Sequence, residues 1–139
     1  MNRWTVHVKN FGKIEDASVE VAPLTLFVGD NNSGKSYMMT LIYGLLTVNF
    51  FFDKYEFDEQ SIAYQQCSQF IDRIIETKHE EFYELEADDL LAFQNLLNEV
   101  INQNCSLFLR KLFNREMSIG EIRISFPSEM KTEFRIRKR

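Results

Sequence analysis

The sequence predicts an α/β fold built as one incomplete domain, and three observations predict it. Residues 4 to 21 alternate apolar and polar side chains with a period of two. Residues 24 to 46 pass from a short apolar run, through a stretch bounded by Gly29 and Gly34, into a second and longer apolar run. Residues 88 to 113 carry an apolar stripe at helical spacing, after which the period returns to two.

Each element has a local reason. Trp4, Val6 and Val8 alternate with Thr5, His7 and Lys9, which describes a half-buried strand. Asn10-Phe11-Gly12-Lys13 supplies turn residues, and Ile14, Ala17, Val19 and Val21 continue as a second, antiparallel strand. Pro23 breaks the chain before Leu24, Leu26, Phe27 and Val28, which read as a short buried strand. Tyr37 to Leu46 is apolar nearly all round and free of proline, so it reads as a helix buried against a sheet. Past Thr47, Ile62, Gln66, Phe70, Ile71, Ile74 and Ile75 keep helical spacing. Asp88 or Asp89 is placed to cap one long helix running to Phe113, with a break expected near Asn102-Gln103-Asn104. Ile122, Ile124 and Phe126, a turn at Pro127-Ser128-Glu129, then Phe134 and Ile136 predict a second hairpin. The expected division is a core over residues 1–48, a helical insertion over 49–116, and a hairpin returning to the sheet over 117–139.

Composition excludes several classes. The chain has 139 residues and a net charge of −5, so it is not a basic nucleic-acid binder as a whole. The charge is uneven: residues 110 to 139 hold nine Lys/Arg against four Asp/Glu, and the first 109 hold seven against seventeen. Cys67 and Cys105 have no CxxC or His partner spacing and read as reduced packing residues. No leader is visible at Met1, and the longest apolar run is about half the ~20 residues a membrane span needs. A cytoplasmic chain with no membrane partner is expected.

Gly29-Asp30-Asn31-Asn32-Ser33-Gly34-Lys35-Ser36 fits G-x-x-x-x-G-K-[ST] without mismatch. The spacing follows from the chemistry of a phosphate chain, which offers many acceptor oxygens and several negative charges. A loop wraps it only when backbone N–H groups point inward, and glycine tolerates the angles this needs. Gly29 starts the turn and Gly34 lets the main chain approach. Lys35 reaches the β- and γ-phosphates, and the Ser36 hydroxyl ligates Mg²⁺. The cofactor-binding set is then Gly29, Asn31, Asn32, Ser33, Gly34, Lys35, Ser36 and Tyr37, with ATP and Mg²⁺ as ligands and Ser36 as the metal residue. The strand–loop–helix order around the motif makes the expected fold class a P-loop NTPase.

The opening segment, VKNFGKIEDASVEVAPLTLFVGDNNSGKS, resembles the N-terminus of ABC-type ATPase heads of the SMC, RecF and OLD-nuclease circle. The likeness rests on the Asn10-Phe11 turn and on Asn31 and Ser33 within the loop, and it covers residues 4 to 46. It implies an N-terminal lobe with antiparallel flanking strands and a helical insertion. It also implies that the turn from Asn10 to Lys13 lies near the nucleotide. Relatives commonly carry Arg after the Phe; here Gly12 stands there and Lys13 follows. Phe11 reads equally well as a core anchor. In such proteins ATP is held between two heads, whose closure drives DNA repair or phage defence. A self-association or a partner head, and DNA, are therefore implied by the resemblance alone.

Hydrolysis also needs a Walker B acid at the end of an apolar strand and a signature helix. No candidate after Ser36 has that setting. "YELEADD" is not an apolar strand, and Met117-Ser118-Ile119-Gly120-Glu121 leads into a strand rather than a helix. The expectation is a first lobe, with those parts lying elsewhere and little turnover by this lobe alone; the catalytic residues are unassigned. Two other readings stay open. One is a non-enzymatic interaction or oligomerisation module centred on residues 57 to 113 with a regulatory nucleotide site. The other is a small-molecule or nucleoside kinase.

Overall fold

The structure is a computed structural model and describes residues 3–29, 34–47, 56–77, 82–127 and 133–135. The elements are β1 (Trp4–Phe11), β2 (Ile14–Val21), α1 (Lys35–Leu46), α2 (Ile62–Thr77), β3 (Phe82–Glu84), α3 (Ala87–Gln103), α4 (Cys105–Phe113), β4 (Glu121–Ser125) and β5 (Glu133–Arg135). The fold is α/β, with a three-stranded antiparallel sheet in the order β2-β1-β4 and a two-stranded ribbon of β3 and β5.

Period-two alternation in β1 sends Val6 and Val8 to one face, where both are fully buried. Val6 sits opposite Val19 on β2 and Ile124 on β4; Val8 sits opposite Ala17 and Ile122. These cross-strand pairs make one apolar face. On the other face His7 lies between Ser18 and Arg123. His7 Nδ1 accepts from Arg123 and its Nε2 bonds the Asp16 carboxylate. Since guanidinium cannot accept, the proton belongs on Nε2. The strands join through Gly12 and Lys13, with both Asn10 (φ 53°) and Gly12 (φ 59°) left-handed.

α1 and α4 cover the apolar face of the sheet. Leu41, Leu45, Phe108 and Leu109 join Val6, Val8, Phe11, Ile122 and Ile124 in one buried cluster, together with Val100 and Ile101 of α3. The helices approach closely because α1 has Gly44 where Leu112 of α4 crosses; a Cβ there would lie 2.5 Å from the leucine Cδ2. α2 packs on α3 through Ala63, Cys67, Phe70 and Ile74, with the Phe70 and Phe93 rings edge-on at 5.7 Å.

The expected break in the long helix falls at Asn104, between α3 and α4. Asn104 holds it: its amide donates to the carbonyls of Val100 and Glu56 and accepts from the Glu56 N–H. The N-cap differs from expectation. Glu86 occupies it, and Asp88 and Asp89 lie in the first turn, where carboxylates face the positive end of the helix.

β4 is an edge strand, and α3 closes that edge with side-chain amides. Asn98 accepts from the Ile124 N–H (2.7 Å) and donates to the Ile124 carbonyl (2.9 Å). Asn102 does the same to Ile122 (3.1 and 2.7 Å), and Gln94 accepts from Phe126 (2.8 Å). The match is geometric. Four helical residues advance about 6 Å and two strand residues about 6.6–6.8 Å, so positions 94, 98 and 102 meet 126, 124 and 122 in turn. An unpaired edge would be a template for foreign strands. Asn98→Leu keeps the volume and leaves both Ile124 backbone groups unpaired, so a loss of about 1–3 kcal/mol is expected in denaturant unfolding.

Two expected β elements are corrected. Among the described residues β4 and β5 do not pair as the second hairpin: β4 pairs with β1, and β5 pairs with β3, a three-residue strand that sequence periodicity missed. Period two specifies a strand but not its neighbour. The buried strand at Leu24–Val28 is also absent. These residues belong to neither sheet, and Leu24, Leu26 and Val28 are 79%, 80% and 90% exposed. A strand exists through its ladder, and no described strand lies beside this segment. Phe27 alone packs against the core, and Thr25 ties the segment to Ala22 through its hydroxyl. The helix that follows is not buried all round either: Ser36, Met39, Tyr43 and Leu46 form one exposed stripe on α1.

Candidate phosphate-binding site

The site is built where three pieces of chain meet: the end of the 24–29 segment, the first turn of α1, and the turn between β1 and β2. Gly34 caps α1 with φ 89°, and Gly29 has φ 152°. Both values lie in the region that L side chains rarely enter. A Cβ on Gly34 would also come within 2.8 Å of the Ile14 side chain, so the cap is pressed against β2. From Gly34 the helix closes at once, with the Met38 N–H donating to the Gly34 carbonyl (3.0 Å).

The first turn of α1 holds no acidic residue and no side-chain cap. No carboxylate of that turn therefore neutralises the positive character of its leading N–H groups. Lys35 reaches back across the loop and donates its Nζ hydrogen to the Gly29 carbonyl. That bond brings together the two ends of the predicted motif, Gly29 on one side and Gly34-Lys35 on the other. Asn31, Asn32 and Ser33, three of the expected ligands, lie outside the described residues. Ser36 is exposed.

Tyr37 packs into the fold. Its ring stands 5.7 Å from both Phe11 and Phe113, and those two are 5.8 Å apart. Phe11 is fully buried, so the core-anchor reading of that residue holds. Gly12 lies flat against the same ring: a Cβ there would be 2.8 Å from the Tyr37 edge atoms. The turn from Asn10 to Lys13 thus abuts the first turn of α1. One residue was not found from sequence. Arg115, just after α4, donates to the Tyr37 hydroxyl (2.5 Å) and sits 5.7 Å from the centre of its ring. Nothing in the spacing of a lone arginine 78 residues away signals this contact.

Other candidates fall into place around the site. Among the described residues no group of three or more His, Cys, Asp or Glu could hold a metal ion. Burial raises the thiols of Cys67 and Cys105 to about 11, and Glu99 and Asp89 add to the rise at Cys67, so both stay protonated at neutral pH. Met117 to Gly120 is irregular and leads into β4. Among the described residues no helix is long and apolar enough to cross a membrane.

A family model, the AAA ATPase domain, matches residues 2–133. No curated protein matches the chain significantly, and no solved structure does. The match covers the 24–29 segment, the first turn of α1 and the β1–β2 turn, the three pieces that meet at the site. The chain belongs to the AAA ATPase domain family.

Proposed function

We propose that this chain is the ATP-binding lobe of an ABC-type ATPase of the SMC, RecF and OLD-nuclease circle. Family membership implies nucleotide binding; the finer assignment rests on the resemblance of residues 4 to 46. One observation supports it best: Gly29 and Gly34, the first and sixth residues of an eight-residue motif, both have positive φ, in front of an uncapped helix with no acid in its first turn. Such a loop offers main-chain N–H groups and a helix terminus to an anion.

The residues fit ATP and Mg²⁺ in the following way. In this proposal Gly29, Asn31, Asn32, Ser33 and Gly34 supply main-chain N–H groups to the phosphates, and Lys35 exchanges its bond to the Gly29 carbonyl for the β- and γ-phosphates. Ser36 supplies one hard oxygen to Mg²⁺, with phosphate oxygens and water completing the shell. Tyr37 holds the first turn of α1 in register with the β1–β2 turn. The division into a core (1–48), a helical insertion (49–116) and returning β structure (117–139) belongs to the same proposal. So does a partner. Leu24, Leu26 and Val28 beside the loop, and Met39, Tyr43 and Leu46 along α1, leave apolar surface open next to the nucleotide site, as expected of a lobe completed by further β structure and joined to a second head. Work on DNA, in repair or phage defence, follows from the resemblance alone.

The test is thermal protection. At about 100 times its dissociation constant, Mg-ATP is expected to stabilise the chain by about 2.7 kcal/mol, and Mg²⁺ alone not at all. An unchanged melting temperature at millimolar Mg-ATP contradicts the proposal.

A further inference from the structure

Three cations stand at the loop end of the molecule: Lys35 in the motif, Lys13 in the β1–β2 turn, and Arg115 after α4. None of the three pairs with a carboxylate among the described residues. Most of the other described exposed cations find an acid. Arg3 bonds Glu20, Arg73 bonds Asp89, Arg110 bonds Glu116 and Lys9 faces Glu121.

Arg115 is the one of the three with a built support. It stands on Tyr37, donating to the hydroxyl and lying near the ring face. Tyr37 is fixed in turn by Phe11 and Phe113 and by Gly12, which has no side chain to push it aside. Tyr37 also follows Ser36 directly in the first turn of α1. A guanidinium held there remains exposed and charged, and only one of its five N–H groups is committed to the hydroxyl. Planar guanidinium suits phosphate oxygens better than a phenol does, because two parallel charge-assisted bonds replace one neutral acceptor.

We propose that Arg115 is a second phosphate-binding cation of the nucleotide site, parked on the Tyr37 hydroxyl and delivered to the nucleotide from the end of α4. It would tie nucleotide occupancy to the helical block, since α4 packs on α1 and continues into α3. This rests on the phosphate-loop reading above.

The experiment measures Mg-ATP affinity by titration calorimetry on the full chain and three variants, Arg115→Ala, Arg115→Lys and Lys35→Ala, and the melting temperature of these and of Tyr37→Phe. Arg115→Ala is expected to weaken binding about 10-fold, the range of a charge-assisted bond, and to flatten its salt dependence. Arg115→Lys keeps the charge without the fork and recovers part of the loss. Tyr37→Phe removes the hydroxyl perch and is read by melting temperature alone, as the measure of what the Arg115–Tyr37 contact contributes to the fold. If Arg115 only braces the fold, Arg115→Ala and Tyr37→Phe lower the melting temperature alike and Arg115→Ala leaves affinity within twofold of the parent, which overturns the proposal. Loss of binding in Lys35→Ala alongside an unaffected Arg115→Ala rejects the role of Arg115 and keeps the loop. Absence of binding by the parent chain rejects both.

Discussion

Phe11→Ala is expected to cost about 3–5 kcal/mol of stability, the largest loss of any single substitution considered for this chain. Phe11 is fully exposed to its neighbours and not at all to water. It ends β1, and its ring meets Tyr37 of α1 and Phe113 at the end of α4 within 6 Å of each. Truncation therefore opens a cavity where sheet and helices converge, and the surrounding backbone is too constrained to collapse into it. Edge-on aromatic contacts worth about 0.5–1.5 kcal/mol per pair are lost as well. The effect should spread to the site, because Tyr37 and Gly12 lean on the same cluster. Urea unfolding followed by circular dichroism measures the change. Phe11→Leu refills most of the volume and should restore more than half of the loss.

Lys35→Ala separates binding from folding. Among the described residues its ammonium bonds only the Gly29 carbonyl, and it lies at the surface, so the unliganded chain should change by no more than about 0.5 kcal/mol. Protection by Mg-ATP should change far more. Charged hydrogen bonds contribute about 1.5–3 kcal/mol each, so removing the ammonium erases most of the roughly 2.7 kcal/mol expected from ligand at 100 times its dissociation constant. Differential scanning fluorimetry with and without Mg-ATP reads both quantities. Equal protection of parent and variant would mean that the lysine does not face the nucleotide.

Much of this fold can be read locally. β1 and the second half of β2 follow from alternation, and the helix break at Asn104 follows from a cluster of amides interrupting an apolar stripe. The glycine spacing of the loop is legible as a pattern, and Gly29 and Gly34 have positive φ; that the loop holds phosphate is part of the proposal. What was not legible is non-local. Leu24, Leu26 and Val28 have the composition of a buried strand and are exposed, since burial depends on a neighbour that their own sequence does not name. Ile122 and Phe134 alternate alike, yet their strands go to different sheets. The amides at 94, 98 and 102 look like an ordinary polar helix face until a strand edge is set beside them. Arg115 is one exposed arginine among several until Tyr37 appears beneath it.

The central claim is that the main chain from Gly29 to Ser36, with the Lys35 ammonium, holds a triphosphate at the start of α1. Backbone amide NMR of the full chain, titrated with a magnesium complex of a non-hydrolysable ATP analogue, tests it most directly. The amide signals of Gly34, Lys35 and Ser36 are predicted to move farthest, downfield as they acquire phosphate acceptors, and together with saturating behaviour. Shifts confined to α2 and α3, or no shift at all at millimolar analogue, would contradict it.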